Sequence, residues 1–136
     1  MNERIKEKIE EIENYLAELE DEIPDKLEIY IKNRKKQLIC ERLFEIILEA
    51  IVDLTFLIIK EKNIDIPEDD YSAFDMLTKN KIVSEEIGEE LKEARRMRNI
   101  IAHKYGDIDN SIVFKTVKEE LPEDIEKFIA EIKGNL

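Results

Sequence analysis

From about Lys26 to Lys62 the chain runs for 37 residues without a glycine or a proline. Its apolar residues recur at helical rather than alternating spacing, so one long helix is the expectation for this stretch. That helix constrains everything around it. Between Leu43 and Ile59 it is apolar around most of its circumference, more than one small bundle readily covers, which points to a homodimer. The same stretch carries Glu45, Glu49 and Asp53, and charges at mid-bilayer are costly, so a membrane span is not expected.

The rest of the chain reads as helices that pack against this one. Ile5, Ile9, Ile12, Leu16, Leu19 and Ile23 follow 4-3-4-3-4 spacing, the mark of one apolar seam, and Pro24 ends or kinks that helix. Asn63 to Asp70, with Pro67, reads as a loop. Ser72 with Asp75 looks like a capping box for a short helix, YSAFDMLTKN. Ser84 caps another helix, with Glu85 and Glu86 at the positive end of its dipole, and Gly106 should stop it. Asp109, Asn110 and Ser111 offer a new cap. A last helical segment carries Pro122 in its first turn or at a kink and ends at Gly134. No strand alternation, repeat or linker is evident. The expectation is a single all-α domain over residues 1–136, an up-and-down bundle of four to five helices.

Charge narrows the function. The chain carries a net charge of -12, which repels nucleic acid at long range, so an RNA or DNA role needs a local basic patch. Residues 1–30 hold four cations against eleven acids, a net of -7. Two windows run the other way. Residues 31–40 hold Lys32, Arg34, Lys35 and Lys36 and no acid; residues 94–106 hold Arg95, Arg96, Arg98 and Lys104 and no acid. A lone Cys40 offers neither an internal disulfide nor a metal cluster, and a reducing cytoplasm is the default expectation.

The second window, RRMRNIIAHKYG, also holds the only histidine. Its helix has an apolar seam through Ile87, Leu91, Ala94 and Ile101, and Arg98 and Tyr105 fall on it. A guanidinium on a core-facing seam needs a carboxylate or an anionic ligand. Asn99 and His103 are about 40° apart around an ideal helix and share a stripe, whereas His103 lies about 140° from Arg98. Each residue alone has an ordinary explanation: a surface cap for His103, a salt bridge for Arg98, packing for Tyr105. Together an arginine, an amide, an imidazole and a phenol suit phosphate chemistry, because arginine binds phosphate in a bidentate fashion and histidine moves protons near neutral pH. No serine or cysteine pairs with His103 in sequence, and one histidine does not make a metal site, so neither a nucleophilic triad, a metal nor a cofactor is expected. Glu41, Glu45, Glu49 and Asp53 line one stripe of the long helix. The ordinary reading of that stripe is a solvated edge; the alternative is that Glu49 or Asp53 pairs with Arg98 or orients His103 across an interface.

Arg98-Asn99-x-x-x-His103-x-Tyr105, followed by Asp107-Ile108-Asp109, resembles the HEPN superfamily, and within it the HepT-like (DUF86) toxins of HepT/MntA-type toxin–antitoxin pairs. Cys40-Glu41-Arg42-Leu43 running on through Glu49 to Leu54 is similar to that family's second helix. Tyr71 to Leu77, Lys81-Ile82-Val83, Ile112-Val113-Phe114 and Leu121-Pro122 resemble its later elements. The resemblance implies a helical homodimer with arginine and histidine of both subunits lining a cleft, and metal-independent cleavage of RNA. His103 is then general base or acid at the ribose 2′-hydroxyl, Arg98 stabilises charge on the scissile phosphate, and Asn99 positions one or the other. Arg95, Arg96, Glu49 and Asp53 support them. Tyr105 is the residue that a nucleotidyltransferase antitoxin modifies with AMP. The acidic surface is easier to reconcile with a short or structured RNA, such as a tRNA end, than with long RNA. The alternative is a non-catalytic accessory subunit that binds a minimal nucleotidyltransferase, and perhaps a nucleotide, through Arg98 and the 31–40 patch.

Overall fold

The computed structural model describes residues 1–103 and 108–136. Among these residues there are seven α-helices and no strand: α1 (Glu3–Glu22), α2 (Leu27–Ile31), α3 (Arg34–Glu61), α4 (Asp70–Lys79), α5 (Glu85–His103), α6 (Asn110–Lys115) and α7 (Leu121–Asn135). A π-helical turn, Thr116–Glu120, joins α6 to α7. The all-α expectation holds, but the chain is cut into more pieces than four or five.

The long pattern that starts near Lys26 is broken at Lys32 and Asn33. Asn33 is the reason. Its side chain accepts the backbone N–H of Lys36 at 3.0 Å, so it caps the start of α3 rather than continuing a helix. Gln37, buried one turn on, donates its amide to the carbonyls of Tyr30 and Ile31, both at 3.0 Å. Both carbonyls belong to the last turn of α2, where intrahelical donors run out; that of Tyr30 also accepts the Asn33 N–H at 3.2 Å. No glycine or proline is needed for this break.

Elsewhere the helix ends follow side-chain caps. Asp69, not Ser72, caps α4: it accepts the N–H of Ser72 at 2.8 Å, which places Ser72 inside the first turn. Ser84 caps α5 as expected, its Oγ accepting the N–H of Ile87 at 3.2 Å. Asp109 caps α6 by accepting from Ser111 and Ile112. The expected stop of α5 at Gly106 lies outside the described residues. Pro122 has no N–H to donate and crowds the carbonyl four residues back. The wider π turn, closed by the Leu121 N–H on the Thr116 carbonyl, lies immediately before it. The helix runs one residue past Gly134.

α3 is the axis of the domain. α1, α2, α4 and α5 all pack on it, and α7 closes over α5. Phe44, Ile47, Leu48, Ile51, Leu54 and Ile58 are fully buried on α3, meeting the Ile5, Ile9, Ile12 and Leu19 seam of α1. Most of the apolar circumference of α3 is therefore covered within one subunit. Leu38 and Ile39, at 44% and 40% exposure near its start, are its most open apolar residues, and Ile46, Val52, Phe56 and Leu57 are partly exposed. No described helix is long and apolar enough to cross a membrane.

α4 and α5 run antiparallel and are tied along their length. At one end Gly88 lets the helices close: a β-carbon there would meet Thr78 Oγ1 at 2.2 Å. In the middle Lys92 bonds Asp75 at 2.8 Å. At the other end lie the residues of the arginine-rich window.

Candidate functional site

Arg98 sits where the periodicity placed it, on the core side of α5, with its side chain only 21% exposed. Its Nη2 donates to Glu49 Oε1 of α3 at 3.0 Å, within one subunit. Of the two carboxylates singled out in sequence, Glu49 makes this contact. Asp53, one turn on, reaches Lys8 of α1 at 3.7 Å instead. The choice follows from which helix lies above each turn of α3: α5 over residue 49 and α1 over residue 53.

Arg95, one turn before Arg98, faces α4. Its Nε donates to Asp70 Oδ2 at 2.7 Å, and its Nη1 donates to Asn99 Oδ1. Asn99 in turn donates from Nδ2 to the Tyr71 hydroxyl at 3.1 Å. Arg96 pairs with Glu93 on its own helix and lies over the Tyr71 ring, 5.7 Å from its centre. Asp70 and Tyr71 were not among the sequence candidates. They lie 25 and 28 residues from their partners, and no local pattern marks them.

Arg95 and Arg98 flank a small cleft of about 120 Å³, bounded by Glu49, Asp53 and Asp70 with Leu48 and Val52 beneath. It is large enough for one phosphate-sized anion and lies where two guanidiniums converge. His103 is the last residue of α5 and exposed, and it is not part of the wall of this cleft. The structure therefore brings together Arg95, Arg98, Asn99, Glu49 and Asp70, and sets His103 apart on the Asn99 stripe. Tyr105 lies outside the described residues.

The window is acid-free only in one dimension. In space each of its three described arginines meets a carboxylate: Arg95 with Asp70, Arg96 with Glu93, Arg98 with Glu49. Among the described residues no group of three histidine, cysteine, aspartate or glutamate side chains is arranged to hold a metal ion. Cys40 is buried in the core, and burial pushes its thiol up to about 11, which makes it a packing residue.

Fold and site together define an all-helical protein with a cleft at the junction of its third, fourth and fifth helices, lined by Arg95 and Arg98 and by three carboxylates. The chain belongs to the ribonuclease HepT-like family, whose model matches residues 5–132. It is similar to the mRNA nuclease HepT of Shewanella oneidensis, 32% identical over 86 residues, 63% of this chain and 64% of that protein. It is also similar to the tRNA nuclease HepT of Aphanizomenon flos-aquae, 29% identical over 113 residues, 83% of this chain and 77% of its relative. Among solved structures, the tri-AMPylated Shewanella oneidensis HEPN toxin in complex with MNT antitoxin superposes with a TM-score of 0.91 at 26% identity, over 98% of this chain and 99% of that one.

Proposed function

We propose that this chain is the toxin of a toxin–antitoxin pair, a metal-independent endoribonuclease that works as a homodimer. One observation carries the reading: Arg98, largely buried on a core-facing seam, is held by a single described carboxylate beside a phosphate-sized cleft in a chain of the ribonuclease HepT-like family. In the proposed reaction the ribose 2′-oxygen loses its proton to His103 and attacks the adjacent phosphorus. The bond to the 5′-oxygen of the next nucleotide breaks, and that oxygen takes up a proton. Arg98 takes up the charge that grows on the phosphoryl oxygens, and Asn99 orients the reacting groups. A homodimer supports this assignment because His103 stands apart from the Arg98 cleft within one subunit; a second copy supplies a way to close the gap. The relatives include one named for mRNA and one for tRNA. With a net charge of -12, a short or structured RNA such as a tRNA end is the substrate that suits this surface.

Silencing by a nucleotidyltransferase antitoxin, which adds AMP to Tyr105, completes the proposal. It is supported by the AMPylated state of the Shewanella oneidensis toxin complexed with its antitoxin. The test is the intact mass of the protein expressed alone and beside its neighbouring gene, with RNA cleavage assayed on both samples. The expected result is mass added in AMP units on Tyr105 and cleavage by the unmodified form only. Arg98→Ala and His103→Ala are expected to abolish cleavage; cleavage that survives both would overturn the assignment. A second reading, a non-catalytic accessory subunit, draws on the placement of His103 away from the cleft. It predicts no cleavage by either sample and no toxicity on expression.

A further inference from the structure

We propose that Asp70 and Tyr71, at the start of α4, are positioning residues that fix the orientation of the Asn99 amide, with Arg95 as the link between them. The inference rests on the reading of Asn99 as a site residue, and it is argued from four contacts. Asp70 Oδ2 accepts from Arg95 Nε at 2.7 Å. Arg95 Nη1 donates to Asn99 Oδ1. Asn99 Nδ2 donates to Tyr71 Oη at 3.1 Å. The Arg96 guanidinium lies over the Tyr71 ring at 5.7 Å.

A carboxamide can flip end for end at little cost unless its neighbours distinguish oxygen from nitrogen. Here they do. A guanidinium can only donate, so the end of Asn99 that faces Arg95 is its oxygen. The nitrogen is then turned to Tyr71, whose hydroxyl oxygen accepts. Both ends of the amide are engaged, one by Arg95 on its own helix and the other by Tyr71 on α4; a hydroxyl can donate as well as accept, so it is the Arg95 contact that a flip would lose. Asp70 holds Arg95 in turn: an arginine side chain has much rotamer freedom to lose, and a carboxylate on Nε removes a large part of it before Asn99 is engaged. Arg96 braces the Tyr71 ring. The arrangement exceeds what docking α4 to α5 requires, because Gly88 against Thr78 and Lys92 with Asp75 already hold the two helices together further along.

This also separates the arginines of the window. Arg95 gives Nε to Asp70 and Nη1 to Asn99, so two of its nitrogens are committed within the protein although it lines the cleft beside Arg98. Arg98 spends one nitrogen on Glu49 and lines the cleft.

Tyr71→Phe removes one hydroxyl and Asp70→Asn one charge, so both are tested in the full chain, alone and combined with Asn99→Ala. With RNA as substrate, each single variant is expected to lower kcat about tenfold, the equivalent of one net hydrogen bond, with KM unchanged. In the Asn99→Ala background neither is expected to lower it further. The Asn99 side-chain N–H₂ pair in a ¹H–¹⁵N spectrum is expected to shift in Tyr71→Phe, whether or not the protein cleaves RNA. An unmoved Asn99 pair, or equal losses of kcat with and without Asn99, overturns the proposal. A wild-type protein that cleaves no RNA overturns the catalytic reading of Asn99, and the amide pair alone then decides the clamp.

Discussion

Glu49→Gln and Arg98→Met break the same 3.0 Å ion pair, and they are expected to cost different amounts of stability. The Arg98 side chain is 21% exposed and Glu49 is 48% exposed. When Arg98 is replaced by Met, the apolar stem is kept and the carboxylate left behind is half in water, so it re-solvates. The loss is that of an exposed pair, at most about 1 kcal/mol. When Glu49 is replaced by Gln, a guanidinium with little access to water loses its counter-charge and keeps only a neutral acceptor. That leaves a poorly hydrated cation, at about 1–3 kcal/mol. The difference, about 1 kcal/mol, corresponds to about 3–5 °C in Tm for a domain of this size. Thermal melts of the two variants measure it. Inorganic phosphate adds a second arm. In Glu49→Gln the cleft has lost its internal anion, so phosphate at ten times its Kd is expected to restore about 1.4 kcal/mol, more than it gives the wild type. In Arg98→Met it is expected to restore nothing. Arg98→Met melting as low as Glu49→Gln, or phosphate stabilising all three proteins equally, would refute the picture of Glu49 as the counter-ion of a largely buried arginine.

Three further outcomes follow from other parts of the molecule. Burial, then Glu90, Glu120 and Glu123, pushes Asp124 up to about 6 from an ordinary 3.8. A raised carboxyl binds its proton more tightly in the folded state, so its contribution is full below about 4 and is lost as pH rises through 6. Asp124→Asn is therefore expected to raise stability at pH 7 by about 1 kcal/mol after screening by solvent, read as a higher Tm, and to leave Tm unchanged at pH 3.5. Gly88→Ala gains about 1 kcal/mol of helix propensity but drives a methyl into Thr78 Oγ1, so a net loss of about 1 kcal/mol is expected; in a Thr78→Ala background the same change is expected to stabilise, and a double-mutant cycle of melts reads the reversal. Cys40, buried and raised to about 11, is expected to resist a thiol reagent at pH 8 in the native protein and to react at once in denaturant.

The sequence carried the seams well and the joints less well. Of the seam Ile5, Ile9, Ile12, Leu16, Leu19 and Ile23, all are buried except Leu16, which is partly buried and packs against the core. The break before α3 holds neither glycine nor proline; Asn33 makes it by offering the backbone a competing partner, and Asp69 starts α4 the same way. Arg98 was legible as a misfit on an apolar stripe, and a misfit demands a partner. Which partner was not legible: Glu49 and Asp53 differ by about 40° and 6 Å on one helix, and only the placement of α5 and α1 decides between them. Asp70 and Tyr71 left no local trace, since a capped first turn of a short helix looks the same whether or not it meets an arginine 25 residues away.

The three-dimensional neutralisation of the arginine window changes what an acidic surface means for RNA. Read along the chain, the window is a basic island that attracts phosphate from a distance. In the folded subunit Arg95, Arg96 and Arg98 each already hold a carboxylate, so little long-range attraction is left. On the proposed reading a phosphate at Arg98 has to exchange with Glu49, which is half exposed and can return to water at small cost. Asp70, at 27% exposure and tied to an arginine whose other nitrogen holds Asn99, is harder to displace. Of the three carboxylates that bound the cleft, Glu49 is thus expected to yield to phosphate and Asp70 to stay and keep Asn99 in place. Such a site selects by exchange at short range, which favours an RNA whose shape already presents its phosphate to the cleft over one gathered from afar by charge.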